Sequence, residues 1–301
     1  MADMEEQRAE LASSADAADI SSLLHDPSPR VIRALLGNRG LTEEDVLIIA
    51  NRTNIPADIL HAIAQDKRWS ESYPLRLALA RNPRSPLSVS LSTARFLRIF
   101  DLEEITRSHF IPLVFRRKVE AMIVERIPAM PLGNKKALAK KAAGPVLLSL
   151  LRDRDHEVVQ LCLSNPRLTE GHLFKVISRP DTAGETIRMI ADHPNWSCRS
   201  LVRLSLARNA LTPLSLSVAF LPNMKLQDLR ELYADPSVPT TIKPFIHREL
   251  WERGAEVTVS HEDTVYEISE EEESELDGEA DLLQETEDAN GGRQEESRGS
   301  A

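Results

Sequence analysis

Apolar residues return every third or fourth position through most of this chain, in short runs that stop at Asn, Pro or Ser/Thr turns. Residues 28–36, 42–51, 56–65, 71–81 and 86–100 each carry that spacing, and 101–109 and 112–127 continue it. A period near that of the α-helix with one apolar face predicts a series of short amphipathic helices. The stretch Pro128-Ala-Met-Pro131-Leu-Gly133 interrupts the series, since proline lacks the amide donor and glycine favours turns. Residues 134–143 predict a short basic helix that joins two halves, and a second series of the same texture runs from Gly144 to about Gly254. Ahead of the first run, residues 5–24 predict a polar helix. The expectation is an all-α fold.

The two series are related. The segment RLALARNPRSPLSVSL (76–91) returns as RLSLARNALTPLSLSV (203–218), identical at ten of sixteen positions without a gap. The same offset of 127 aligns Leu24 and Asp26 with Leu151 and Asp153, Thr42 with Thr169, Trp69 with Trp196 and Pro112 with Pro239. A register held without insertion implies stacked units, because free loops drift in length. Within each series a repeat of about 44 residues is visible in VIRALLGNRGLT (31–42), LRLALARNPRSP (75–86), VVQLCLSNPRLT (158–169) and VRLSLARNALTP (202–213). Asn38, Asn82, Asn165 and Asn209 hold one place in all four. A structural role is expected for them: Asn tolerates the left-handed conformation just past a helix end, and the Ser or Thr that follows can cap the next helix with Pro in its first turn. Thr42 with Asp45 reads as a capping box.

The string PADILHAIAQD (56–66), then Trp69, then LRLALARNPRSP resembles the leucine-rich repeat variant family of bacterial helical repeats, akin to HEAT-type solenoids. IRMIADHPNW (187–196) and LARNALTP keep the spacing in the second series. The resemblance covers most of residues 23 to about 250 and implies an α-solenoid of HEAT-like helical repeats in two tandem, duplicated halves. Members of that family can carry an iron–sulfur cluster on a separate cysteine-bearing segment. This chain departs from that pattern, with only Cys162 and Cys198 and no close pair, so the resemblance implies the fold and no cofactor. The expected division is an acidic N-terminal cap (1–19), a first half (20–133), a second half with the basic joint helix (134–254) and a disordered acidic C-terminal tail (255–301).

Charge changes this picture. The chain as a whole is net −10, yet residues 255–301 hold 17 acidic and 2 basic residues, and residues 1–19 hold six acidic and one basic. Residues 20–254 therefore carry 34 basic against 24 acidic residues, a basic body with acidic ends. The tail has too little apolar surface for its charge to form a core. Within it, residues 265–273 (VYEISEEEE) read as a peptide able to add a strand to a partner. Positive charge concentrates at the middle of the body, in Arg107, Arg116, Arg117, Lys118, Arg126, Lys135, Lys136, Lys140 and Lys141, against Glu120 and Glu125. These nine are the candidate site for an anionic partner, either a polynucleotide backbone or an acidic protein surface. The competing reading is a solvated face on two helices. A tethered acidic tail is expected to compete with such a partner.

Catalytic chemistry finds little support. The eight His form no HExxH, no Cys or His stand at zinc spacing, and GxSxG, GxGxxG and GxxxxGK[ST] do not occur. Asp153, Asp155 and His156 are close in sequence but point different ways, and Asp153 aligns with Asp26 as a turn cap. One enzyme class stays open, the HEAT-like DNA glycosylases, which need an Asp beside exposed Trp in a basic groove. Trp69 and Trp196 are instead expected to pack within repeats. Two cysteines without a framework fit a reducing cytoplasm. No run of eighteen apolar residues predicts a membrane span, and the acidic start of the chain predicts no secretory signal. The expected function is a non-catalytic scaffold that binds a protein partner, without cofactor, small-molecule substrate or membrane, with nucleic acid as the alternative partner.

Overall fold

The computed structural model describes residues 2–254, and within them every regular element is helical. The expected acidic tail at 255–301 lies outside the described residues. The first nine helices are α1 (Ala2–Ser14), α2 (Ala17–Leu23), α3 (Pro29–Leu36), α4 (Glu43–Asn51), α5 (Ala57–Gln65), α6 (Tyr73–Arg81), α7 (Leu87–Ala94), α8 (Ile99–Arg107) and α9 (Leu113–Arg126). Then follow α10 (Leu132–Ala139), α11 (Gly144–Leu150), α12 (His156–Leu163), α13 (Glu170–Ile177), α14 (Gly184–Asp192), α15 (Pro194–Ser197), α16 (Ser200–Arg208), α17 (Leu214–Phe220), α18 (Leu226–Ala234) and α19 (Lys243–Glu252). Residues up to Ile246 form one compact unit, and the chain from His247 is assigned to a second. Within the first unit the substantial helix contacts join near neighbours in chain order, such as α1 with α3, α4 with α6, α10 with α12 and α13 with α16.

Local sequence explains where these helices begin. Asp16, Ser28, Ser72 and Asp155 each stand just before a helix and accept backbone amides of its first turn, which satisfies donors that have no partner inside the helix. The Asp16 cap divides the single polar helix expected over 5–24 into α1 and α2. Thr42 and Asp45 close the capping box: the Asp45 amide donates to Thr42 Oγ1 at 3.3 Å and the Thr42 amide to Asp45 Oδ2 at 2.9 Å. At the corresponding place of the second series His172 replaces Asp45, and its Nδ1 accepts from the Thr169 amide at 3.3 Å. Each run then buries its apolar stripe. Val31, Ile32, Leu35, Val46, Ile49 and Ile59 are among the residues of one core, and each buried aliphatic side chain contributes about 1.5–3 kcal/mol.

The four repeated asparagines do something other than the expected left-handed turn. Among the described residues no non-glycine residue has positive φ, and Asn82 and Asn209 are extended, with φ of −73° and −88°. Their side chains reach back across the stack instead. Asn38 Nδ2 donates to the carbonyls of Ala12 and Ala15, both at 3.0 Å, and Asn165 Nδ2 to those of Ala139 and Ala142 at 2.6 and 3.0 Å. Asn82 Nδ2 donates to Ala50 and Arg52 at 2.7 and 2.9 Å, and Asn209 Nδ2 to Ile177 at 2.6 Å. In all four the Oδ1 accepts the amide two residues on, from Gly40, Arg84, Arg167 and Leu211. One amide group thus holds its own turn and the end of an earlier helix.

One further expectation about turns is corrected. Ser85 and Thr212 precede Pro86 and Pro213, and because proline itself takes the cap position of α7 and α17, their hydroxyls cap nothing. Thr212 Oγ1 turns back and donates to the Leu206 carbonyl at 2.7 Å. Trp69 and Trp196 are both partly buried, yet they bond differently. Trp196 Nε1 donates to the Leu163 carbonyl at 2.8 Å. The corresponding Leu36 carbonyl accepts from Arg68 Nη2 at 2.6 Å, and Trp69 Nε1 is buried without a partner among the described residues while Arg68 lies over its ring at 5.2 Å.

Two outcomes follow for stability. Asn165→Ala strands two carbonyls and one amide, so urea unfolding registers a loss of about 2–3 kcal/mol. Asn209→Ala, which removes one Nδ2 bond, costs measurably less; equal losses would refute the bracing role. Burial holds the imidazoles of His172 and His193 below the ordinary 6.5, with Lys175 adding to the effect at His172 and a backbone hydrogen bond partly opposing it at His193. The unfolded chain then binds protons more readily, so this stability is complete above pH 6.5 and is lost as pH falls through that value towards the folded-state pKa. His172→Asp, the capping residue of the first series, flattens the fall in melting temperature between pH 7.5 and 5.5.

Candidate functional site

Seven of the nine cations of the central basic stretch lie on α8, α9 and α10, Lys140 and Lys141 lie in the turn after α10, and the nine separate into two groups. The guanidinium of Arg126, at the end of α9, donates to the carbonyls of Leu97 at 2.9 Å and Arg95 at 2.8 Å. Arg52 does the same to Leu24 and Asp26, and Arg68 to Leu36 and Asn38. In each case a forked donor satisfies carbonyls left open where a helix ends. Lys135 on α10 pairs with Asp153 at 2.8 Å with both side chains largely buried, as Arg8 on α1 pairs with Asp26 at 3.3 Å. Lys136 is tied to Glu157, whose hydrogen bond raises its pKa. Arg107 lies 3.7 Å from Glu103, and Arg116 is partly buried, with its Nε enclosed and unpartnered among the described residues.

Arg117, Lys118, Lys140 and Lys141 remain exposed, with no salt bridge among the described residues. The nine therefore supply four open cations rather than a continuous patch. Two carboxylates lie among them. Glu103 is 4% exposed; burial pushes its pKa up, against the pull of Arg107, Arg167 and Lys141. Burial likewise raises Glu120, beside Arg116 and Arg117.

Arginines that recur at the offset of 127, Arg76 with Arg203 and Arg81 with Arg208, have partners within the fold. Arg76 Nε donates to the Ser70 carbonyl at 3.0 Å and Arg203 Nε to that of Ser197 at 2.6 Å, while Arg208 pairs with Asp235 at 2.9 Å. The cluster in LRDRDHE also resolves into turn chemistry: Asp153 accepts the Asp155 amide at 3.0 Å and Asp155 accepts the Val158 amide at 3.0 Å. The Cys162 thiol is buried and pushed up to about 12 by that burial. Among the described residues no group of three or more His, Cys, Asp or Glu is placed to hold a metal, and no helix is long and apolar enough to cross a membrane. A groove of about 500 Å³ lies between α13 and α16, with Phe174 and Leu211 at its wall, and its Arg179 and Arg208 are paired with Asp181 and Asp235.

Sequence reasoning missed the exposed apolar residues between α7 and α9. Phe110 is 87% exposed, Val114 59% and Leu113 51%, with Phe96 at 62% a little upstream. The second series holds Asn223, Ser237, Thr240 and Thr241 at the places of Phe96, Phe110, Leu113 and Val114. That contrast was present in the letters, but an apolar residue at helical spacing reads as core until its neighbours are placed.

The two groups of cations respond differently to substitution. Replacing Arg117, Lys118, Lys140 and Lys141 by Ala moves elution from heparin to lower salt, with the melting temperature held. Lys135→Ala leaves elution nearly unchanged and costs up to roughly 3 kcal/mol of stability, because Asp153 loses its counter-ion. The reverse pattern would show the paired lysine to be the anion-binding one.

Compared with protein-family models, with curated proteins and with solved structures, the chain matches none of them.

Proposed function

We propose that this chain is a non-catalytic scaffold of HEAT-like helical repeats, two tandem halves of one design, that binds a protein partner through its surface. Seven helices of the first series, α2 to α8, begin 127 positions before α11, α12, α13, α14, α16, α17 and α18. The bracing bonds recur at the same offset, from Asn38 to Asn165 and from the Arg8–Asp26 pair to Lys135–Asp153. On this reading the first half begins with α1, the counterpart of the α10 joint helix, rather than after an independent cap. The observation that carries the function is the contrast between this repeated frame and its surface. Where the first series exposes Phe96, Phe100, Phe110, Leu113 and Val114, the second has Asn223, Gln227, Ser237, Thr240 and Thr241. Seven helix starts recur although these exposed residues differ, which leaves the apolar ones available for contact with another molecule.

A nucleic-acid reading draws on the four open cations Arg117, Lys118, Lys140 and Lys141, with the acidic tail as competitor. Phosphate contacts weaken steeply with salt, whereas an apolar protein interface does not. The full chain and a form ending at Gly254, used as bait in cell extract and eluted by a salt gradient, separate the two. The expected result is a discrete protein retained to high salt; nucleic acid released early, and enriched on the shortened form, would replace the scaffold reading.

A further inference from the structure

We infer that the exposed face of α9 docks an acidic protein segment studded with apolar side chains, an inference that rests on the scaffold reading above and names the partner's chemistry. At about 100° per residue, Leu113, Val114, Arg117, Lys118, Ala121 and Glu125 fall within one arc of roughly 140°. All six are exposed, while Phe115, Val119 and Ile123 on the opposite side are buried. Phe110, in the turn before α9, adds the most exposed aromatic ring of the described residues at 87%. The face is ordered along the helix: apolar at its start, cationic in the middle and anionic at Glu125.

The second series does not repeat this composition. Position by position the second series has Ser237, Thr240 and Thr241 for Phe110, Leu113 and Val114, and Pro244 and Phe245 for Arg117 and Lys118. Neither cation forms a salt bridge among the described residues. An exposed aromatic ring and an exposed arginine are residue types enriched in interfaces, and two exposed cations without a salt bridge among the described residues ask for carboxylates on the partner. A peptide fits better than an anionic membrane. Glu125 would face the lipid charge from the same arc, whereas a peptide can place an uncharged residue against it.

The test uses the full chain and a fluorescein-labelled synthetic peptide that alternates Leu and Phe with runs of Glu, followed by fluorescence anisotropy at physiological salt. Phe110→Ser, Leu113→Thr and Val114→Thr together install the residues of the second series, so an unchanged melting temperature accompanies a loss of about tenfold or more in affinity. Arg117→Glu with Lys118→Glu gives a similar loss, partly recovered by a peptide with Lys in place of Glu. No binding by the unmodified chain, or equal binding by the triple variant, overturns the inference. So does co-sedimentation with phosphatidylserine-containing vesicles that these substitutions abolish when the peptide does not bind. The triple variant also serves as bait in the extract experiment. A protein retained equally by both baits removes this face and leaves the scaffold reading standing, whereas retention by neither removes the scaffold reading itself.

Discussion

The asparagine amide at the end of α3, α6, α12 and α16 is the interaction on which the rest of the arrangement depends. Short helices of seven to nine residues have weak intrinsic stability in water, and each leaves four carbonyls open at its end. A side chain with two donors and one acceptor can close its own turn through Oδ1 and brace an earlier helix end through Nδ2. That bond is buried at Asn38 and Asn165, where it ties the turn to backbone carbonyls 23 to 26 residues earlier. The amide that closes each turn is the same group that joins it to the layer before.

Arginine serves the same need by another route. The forks of Arg52, Arg68 and Arg126 each reach two backbone carbonyls near a helix end. A basic body is therefore not the same as a basic surface. Much of the positive charge counted in the sequence is committed to backbone and to Asp26, Asp153, Glu157 and Asp235. The interchange at Arg68 and Trp196 shows that the demand comes from the carbonyl: Leu36 and Leu163 are each satisfied, by a guanidinium in one place and an indole in the other.

With the frame held from inside, the outer positions carry few structural obligations. Replacing Phe110, Leu113 and Val114 by the Ser, Thr and Thr of the second series would change no buried contact of α9, whose inner side is Phe115, Val119 and Ile123. The buried contacts of α9 are thus made by residues other than those on its exposed face. A surface can then be altered with little effect on the core.

The helical class, the helix starts at Ser28, Thr42 and Thr169, and the repeating asparagine were legible in the letters. Apolar spacing and caps are local, and their physics is settled within a few residues of chain. The sequence by itself determined where helices form and which positions recur at an interval of 127. It could not determine what the asparagine does, because Ala12, Ala15, Ala139 and Ala142 lie 23 to 26 residues away from it and become partners only when the layers stack. Nor could it tell Arg126 or Lys135 from Arg117 or Lys118, since all four are cations in one stretch. Only tertiary structure decided that the first two face carbonyls and a buried carboxylate while the others face water. Composition fixes a charge, but burial and neighbours decide whether that charge remains available to a partner.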